Sequence, residues 1–144
     1  MKRLIITLSV VLALAFNSFA SDVKVSRFIM QDFKTRFIDA ENTSWSQSNG
    51  FTIAEFTMDG EKQFAYYSQA GELVLVANPI ELPQLAKSLR NSLKNDFAAY
   101  TVTNIFRIDD NESVKYFAVL ENSDSKIIVK SSATKWNQVK TTSK

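Results

Sequence analysis

From Ser26 to about Ala40, the apolar residues Phe28, Ile29, Phe33, Phe37 and Ile38 recur at spacings of three and four, while Arg27, Gln31, Lys34 and Arg36 fall on the opposite side. That spacing predicts an amphipathic helix with Ser26 as its N-cap. After Asn42 the period shortens. Trp45, residues 51–58, 64–67 and 73–76 form short runs rich in β-branched and aromatic side chains and are read as strands. The three glycines of the chain separate these runs, in Ser48-Asn49-Gly50, Asp59-Gly60 and Ala70-Gly71, where a tight hairpin needs positive φ. The first half therefore predicts a helix followed by a four-stranded antiparallel meander.

Pro79 closes the sheet segment, and Pro83 suits the first turn of a second helix, where a missing N–H costs little. Leu82, Leu85, Ala86, Leu89, Leu93 and Phe97 form the apolar stripe of that helix, with Lys87, Arg90, Asn91, Lys94 and Asn95 on its wet side. Strands follow at 101–108, 114–120 and 126–130, and 136–139 adds a fourth. The element order of the second half repeats that of the first, with pseudo-repeats over about 26–77 and 79–140. The expected class is α+β: one domain from residue 21 to 144, two helices packed on one face of a meander sheet of about seven to eight strands.

Residues 1–20 belong to a different pattern. Met1-Lys2-Arg3 is a positive start, Leu4 to Phe16 is broken only by Thr7 and Ser9, and Ser18-Phe19-Ala20 sets small residues where a signal peptidase cleaves. The apolar stretch is shorter than the roughly 20 residues that span a bilayer. A cleaved signal peptide ending near Ala20 is expected, hence a periplasmic or secreted product without membrane insertion. Loss of Lys2 and Arg3 leaves 15 basic against 15 acidic residues, so the net charge of +2 disappears and with it any argument for nucleic acid.

The chain has no histidine and no cysteine, which removes imidazole acid–base catalysis, thiolate nucleophiles, disulfides and zinc sites built on them. The motifs that remain carry little chemistry. Ser132-Ala-Thr-Lys135 has the spacing of a serine acylase motif, but it follows a strand where a helix N-terminus is needed and has no Lys-Thr-Gly partner. Asp109-Asp110-Asn111-Glu112 lacks the alternation and glycine of a calcium loop and reads as a polar hairpin turn. The carboxylate pairs Glu41/Glu55 and Glu81/Asp96 could serve as acid and base, but nothing in the sequence brings either pair together. Asn42-Thr-Ser44 and Asn111-Glu-Ser113 match the glycosylation sequon, which matters only in a eukaryotic secretory pathway. No enzyme activity, metal or cofactor is expected.

Several strands are apolar on both faces. Phe51 and Ile53 oppose Ala54, Phe56 and Met58; Phe64 and Tyr66 oppose Tyr67; Val114, Tyr116, Ala118 and Leu120 oppose Phe117 and Val119. Two helices cover only one side of a sheet. The other is either closed by bends, chain ends or self-association, or it presents aromatic rings to a partner. On the second reading the contact residues are Trp45, Phe51, Phe64, Tyr66 and Tyr67, and serine at two of Phe64, Tyr66 and Tyr67 should abolish binding without unfolding. The partner is expected to be a protein or peptide. The alternative is a carrier whose sheet curls round a cavity for a small molecule or lipid.

The stretch from about Phe33 to Val129 resembles the PepSY-like, β-lactamase-inhibitor-protein-like (BLIP-like) domains exported by Bacteroidota. The features that carry the resemblance are Phe33 to Phe37 followed by Trp45, then Ala54-Glu55-Phe56 with Asp59-Gly60, Tyr66-Tyr67-Ser-Gln-Ala-Gly71-Glu-Leu73, Ile80-Glu-Leu-Pro83, and Val114-Lys-Tyr116 with Val119. The resemblance implies a tandem helix-plus-antiparallel-sheet fold, an envelope or exterior location, and no enzymatic activity. It also implies binding through an open aromatic sheet face, as in the inhibitors. The chain departs from those inhibitors in being shorter and lacking cysteines, which leaves the target open.

Overall fold

A computed structural model describes residues 23–109 and 113–143. The export segment and its cleavage point, most of the acidic run after Asp109, and the sequon at Asn111 lie outside the described residues. The described residues form two helices and eight strands: α1 (Arg27–Arg36), β1 (Glu41–Ser48), β2 (Phe51–Met58), β3 (Glu61–Tyr67), β4 (Leu73–Pro79), α2 (Lys87–Asp96), β5 (Thr101–Asp109), β6 (Val114–Glu121), β7 (Ser125–Ser131) and β8 (Trp136–Ser143), with a 3-10 turn at Leu82–Gln84 before α2. The strands are ordered β1 to β8 as in the sequence, an antiparallel meander with β1 and β8 at its ends. By contacts the chain divides into two compact units. The first comprises the described residues up to Asn78 with Asp109, the second Pro79–Ile108 with the residues from Ser113 onward.

In the first unit, Ser26 caps α1 as its position suggests: its Oγ accepts the Ile29 N–H at 3.2 Å. The helix stops at Arg36, short of the expected Ala40, because Phe37 leaves the helical region at φ −116° and ψ 64° while its N–H still bonds the Phe33 carbonyl. Two of the five residues assigned to the buried stripe lie outside it. Ile38, beyond the helix end, is 80% exposed, and Phe28 is 67% exposed. The β1–β2 and β2–β3 hairpins turn through Asn49-Gly50 and Asp59-Gly60, all four residues with φ between 51° and 81°. These are two-residue turns whose twist matches that of the strands. Gly71 is a further positive-φ position, and a Cβ there would lie 3.0 Å from Phe28 Cδ1.

The core of this unit lies between α1 and one sheet face. Ile29, Phe33 and Phe37 from the helix pack on Ala54, Phe56, Ala65 and Tyr67, with Trp45, Met58, Leu73 and Val76 around them. Phe33 is the hub, its ring centroid 5.0 Å from those of Phe37 and Phe56 and 5.1 Å from that of Trp45, mostly in edge contacts that suit the ring quadrupoles. Phe56 ↔ Gln63 and Ala54 ↔ Ala65 stand opposite each other, fixing this set on the helix side.

The second unit repeats the plan. Pro83 lies in the 3-10 turn and not in the first turn of α2, which begins at Lys87 after an Ala86 N-cap without a side-chain hydrogen bond. The Gln84 side chain accepts the Glu81 N–H at 2.6 Å, so the chain makes its turn before the helix starts. Leu85, Leu89 and Leu93 then pack on Ile105, Ala118, Leu120, Ile127, Val129 and Trp136. Trp136 Nε1 donates to the Leu89 carbonyl at 2.9 Å, joining β8 to α2 within the core. The expected fourth strand of this half is present and longer than its aromatic start suggested.

Candidate partner-binding groove

The residues expected to present bare aromatics do not do so. Phe64, Tyr66 and Tyr67 are all buried, with Tyr66 and Tyr67 among the largest fully enclosed side chains of the chain. Alternation places Tyr67 under α1 and Phe64 and Tyr66 on the helix-free face with Ile53, Leu75 and Ala77, all buried as well. The same holds in the second unit for Phe106, Ile108, Phe117, Val119 and Ile128. In each unit, therefore, these helix-free-face residues are buried, and the strands with apolar residues on both faces are buried on both. Phe51 is half-buried at the start of β2, its ring 6.1 Å from that of Tyr66.

Tyr66 is the weak point among these buried residues. Its hydroxyl is buried without a hydrogen-bond partner, and burial, reinforced by the Glu55 carboxylate, raises its pKa far above the usual phenol value. The Tyr67 pKa is raised too, first by burial and then by its hydrogen bond to Asp32, at 3.1 Å from Oδ2. Asp32 in turn accepts both contacts of Arg36 Nε at 2.8 and 2.9 Å. Raised phenol pKa values stabilise the fold fully below about pH 10, the unfolded value. That stabilisation is lost as pH climbs above it. Tyr66→Phe removes an unsatisfied polar atom at constant shape and is expected to raise stability by about 1 kcal/mol at neutral pH. It should also flatten the alkaline limb in urea titrations followed from pH 8 to 11.

Trp45 has a different setting from the other expected contact residues. Strand β1 carries Trp45 on the helix side, half-buried, and there it borders a solvent-open groove of about 320 Å³ between the C-terminal half of α1 and the outer strand. Phe33, Phe37 and Ala40 form the floor; Met30 and Ile38, at 38% and 80% exposure, stand on the rim with Thr43. Lys34 is the one charged side chain lining it. The strand alongside is the sheet's end, with no strand beyond it among the described residues. Sequence reasoning found Trp45 but placed Ile38 in the helix core. A second open groove, of about 420 Å³, is polar, lined by Lys24, Ser26, Gln47, Asn49, Phe51 and Gln69 among others.

Several of the candidate catalytic groups have structural partners. Glu55 pairs with Lys62 at 2.5 Å, Asp96 accepts the Ser92 hydroxyl at 2.6 Å, and Ser132 and Lys135 close the β7–β8 turn through their backbones, at 2.8 and 3.3 Å. Among the described residues, no three acidic side chains gather as a metal site would need. No described helix is long and apolar enough to cross a membrane.

This combination defines a class: a small tandem α+β domain with a closed core and an apolar groove at its outer strand. Solved structures share the fold. A DUF2874 family protein from Bacteroides ovatus superposes with a TM-score of 0.72 at 18% identity, over 85% of this chain and 89% of that one. One from Bacteroides uniformis gives 0.72 at 11% identity, over 83% and 90%. A BLIP-like protein from Bacteroides fragilis gives 0.67 at 11% identity, over 85% and 89%. The BLIP-like architecture is thus present, whereas the PepSY-like label has no counterpart among these names. No family model matches the sequence. No curated protein matches it either.

Proposed function

We propose that the protein is an exported, non-catalytic domain that binds a protein or peptide through the groove between α1 and β1. The observation that carries this reading is the exposure of Met30 and Ile38 above a floor of packed aromatics, with Trp45 half-buried at the edge. Half-exposed aromatic and methionine side chains around a pocket are the composition of interface hot spots. Export to the periplasm or exterior rests on the pattern of residues 1–20, and the absence of catalysis on the lack of histidine and cysteine and on the structural employment of the carboxylates. The carrier reading has less support, because the grooves described in the first unit open to solvent and the apolar side chains of the helix-free face are buried.

A photocrosslinking amino acid tests the site directly. Placed at Ile38 in the exported protein within the native envelope, benzoylphenylalanine is expected to yield an adduct of defined mass. Placed at exposed Lys94 on α2, it should yield none. Equal labelling from both positions, or from neither, would discard the groove.

A further inference from the structure

The outer strand supplies something beyond an apolar rim. The Asn49-Gly50 turn makes Ser48 and Phe51 the first hydrogen-bonded pair of the hairpin, and the register runs on through Gln47 ↔ Thr52, Ser46 ↔ Ile53 and Trp45 ↔ Ala54. Hydrogen-bonded and non-bonded pairs alternate in an antiparallel ladder. The backbone N–H and C=O of Trp45 and Gln47 therefore point away from β2, toward the free edge, while their side chains share the sheet face that α1 packs on, Trp45 at the apolar groove and Gln47 at the polar one. Sheet ends are commonly guarded by charge, proline or bulges. Here the guard is only at the start: the register shift between Glu41 and Ser44, with Asn42 at φ 51°. Thr43 to Ser48 carries neither charge nor proline.

Charge adds direction. Lys34 lines the groove and Arg27 lies two turns earlier on the same side of α1; both are exposed and neither is ion-paired among the described residues. Asp32 is held by Arg36 and Tyr67, so it does not neutralise Lys34. The next acids in sequence, Asp39 and Glu41, are exposed, between α1 and β1 and at the first residue of β1.

We infer that an extended segment of a partner polypeptide adds as a new strand along β1. Its backbone pairs with Trp45 and Gln47, alternate apolar side chains enter the groove over Phe33 and Phe37, and a flanking carboxylate meets Lys34. This rests on the groove being the binding site and goes further, by naming main-chain pairing and an acidic, alternately apolar sequence as what is recognised.

The test uses the protein purified after export and a labelled, acetylated peptide alternating isoleucine with threonine and closed by glutamate at both ends, followed by fluorescence anisotropy. Gln47→Pro removes one outward N–H at an edge position where proline is tolerated. It should weaken binding about tenfold or more, a loss of about 1.4 kcal/mol. The peptide N-methylated at alternate residues should fail to bind the unaltered protein, which provides the same check without any change to the fold. Lys34→Glu should reverse the preference for this peptide over its lysine-ended counterpart. Ile38→Asp should abolish binding. If Ile38→Asp does so while Gln47→Pro and N-methylation have no effect, strand addition is wrong and the groove survives. If none of the three matters, or the peptide does not bind at all, both are wrong. Self-association lost with Gln47→Pro would identify a second copy of the chain as the occupant and overturn the proposal.

Discussion

The Phe64→Ser/Tyr66→Ser double variant will be largely unfolded at 25 °C, where an exposed binding face would have left it folded and merely inactive. Both rings lie within the sheet's helix-free side, enclosed with Ile53 and Leu75. Replacing a buried aromatic by a small side chain costs about 3–5 kcal/mol, and serine adds a hydroxyl with no assured partner. The residues are two apart on one strand and share neighbours, so their effects need not add. Even a combined loss of about 6 kcal/mol is comparable to the roughly 5–15 kcal/mol that holds a domain folded. Far-ultraviolet circular dichroism and the urea midpoint measure it. A double variant with an unshifted midpoint would mean that these rings are not core.

Trp136 gives the second large effect, and two substitutions separate its contributions. Trp136→Ala empties a buried site among Leu85, Leu89, Leu93 and Ile127 and removes the hydrogen bond to the Leu89 carbonyl. The expected loss is about 3–5 kcal/mol. Trp136→Phe keeps most of the ring. The Leu89 carbonyl lies inside α2, where the helix's own i to i+4 ladder still provides a donor, so losing the indole N–H strands no acceptor. A cost of about 1–2 kcal/mol follows for phenylalanine. Chemical denaturation curves for the two variants should therefore differ clearly in midpoint; equal losses would assign the stability of this contact to the hydrogen bond.

The Trp136 anchor also shows where reading the sequence falls short. Alternation identified a strand at Trp136, but not that its indole would reach a helix carbonyl 47 residues earlier. That contact depends on β8 following β7 in the meander, a consequence of all the pairings before it. Similarly, Pro83 was well suited to a helix start, yet the helix waits until Lys87 because the Glu81–Gln84 bond closes a separate turn first.

Local chemistry determined much of this protein by itself. Ser26 as a cap, the positive-φ turns at Asn49-Gly50 and Asp59-Gly60, the leucine stripe of α2 and the doubled order of helix and strands all follow from spacing and from what glycine and serine permit over a few residues. Only the tertiary structure decided the fate of the second sheet face. An apolar side chain at a period of two must leave water, but its periodicity does not specify whether its own chain or another molecule covers it. Here Phe64 and Tyr66 are buried within the fold, while the end of α1 leaves Ile38 and Met30 exposed beside the outer strand β1.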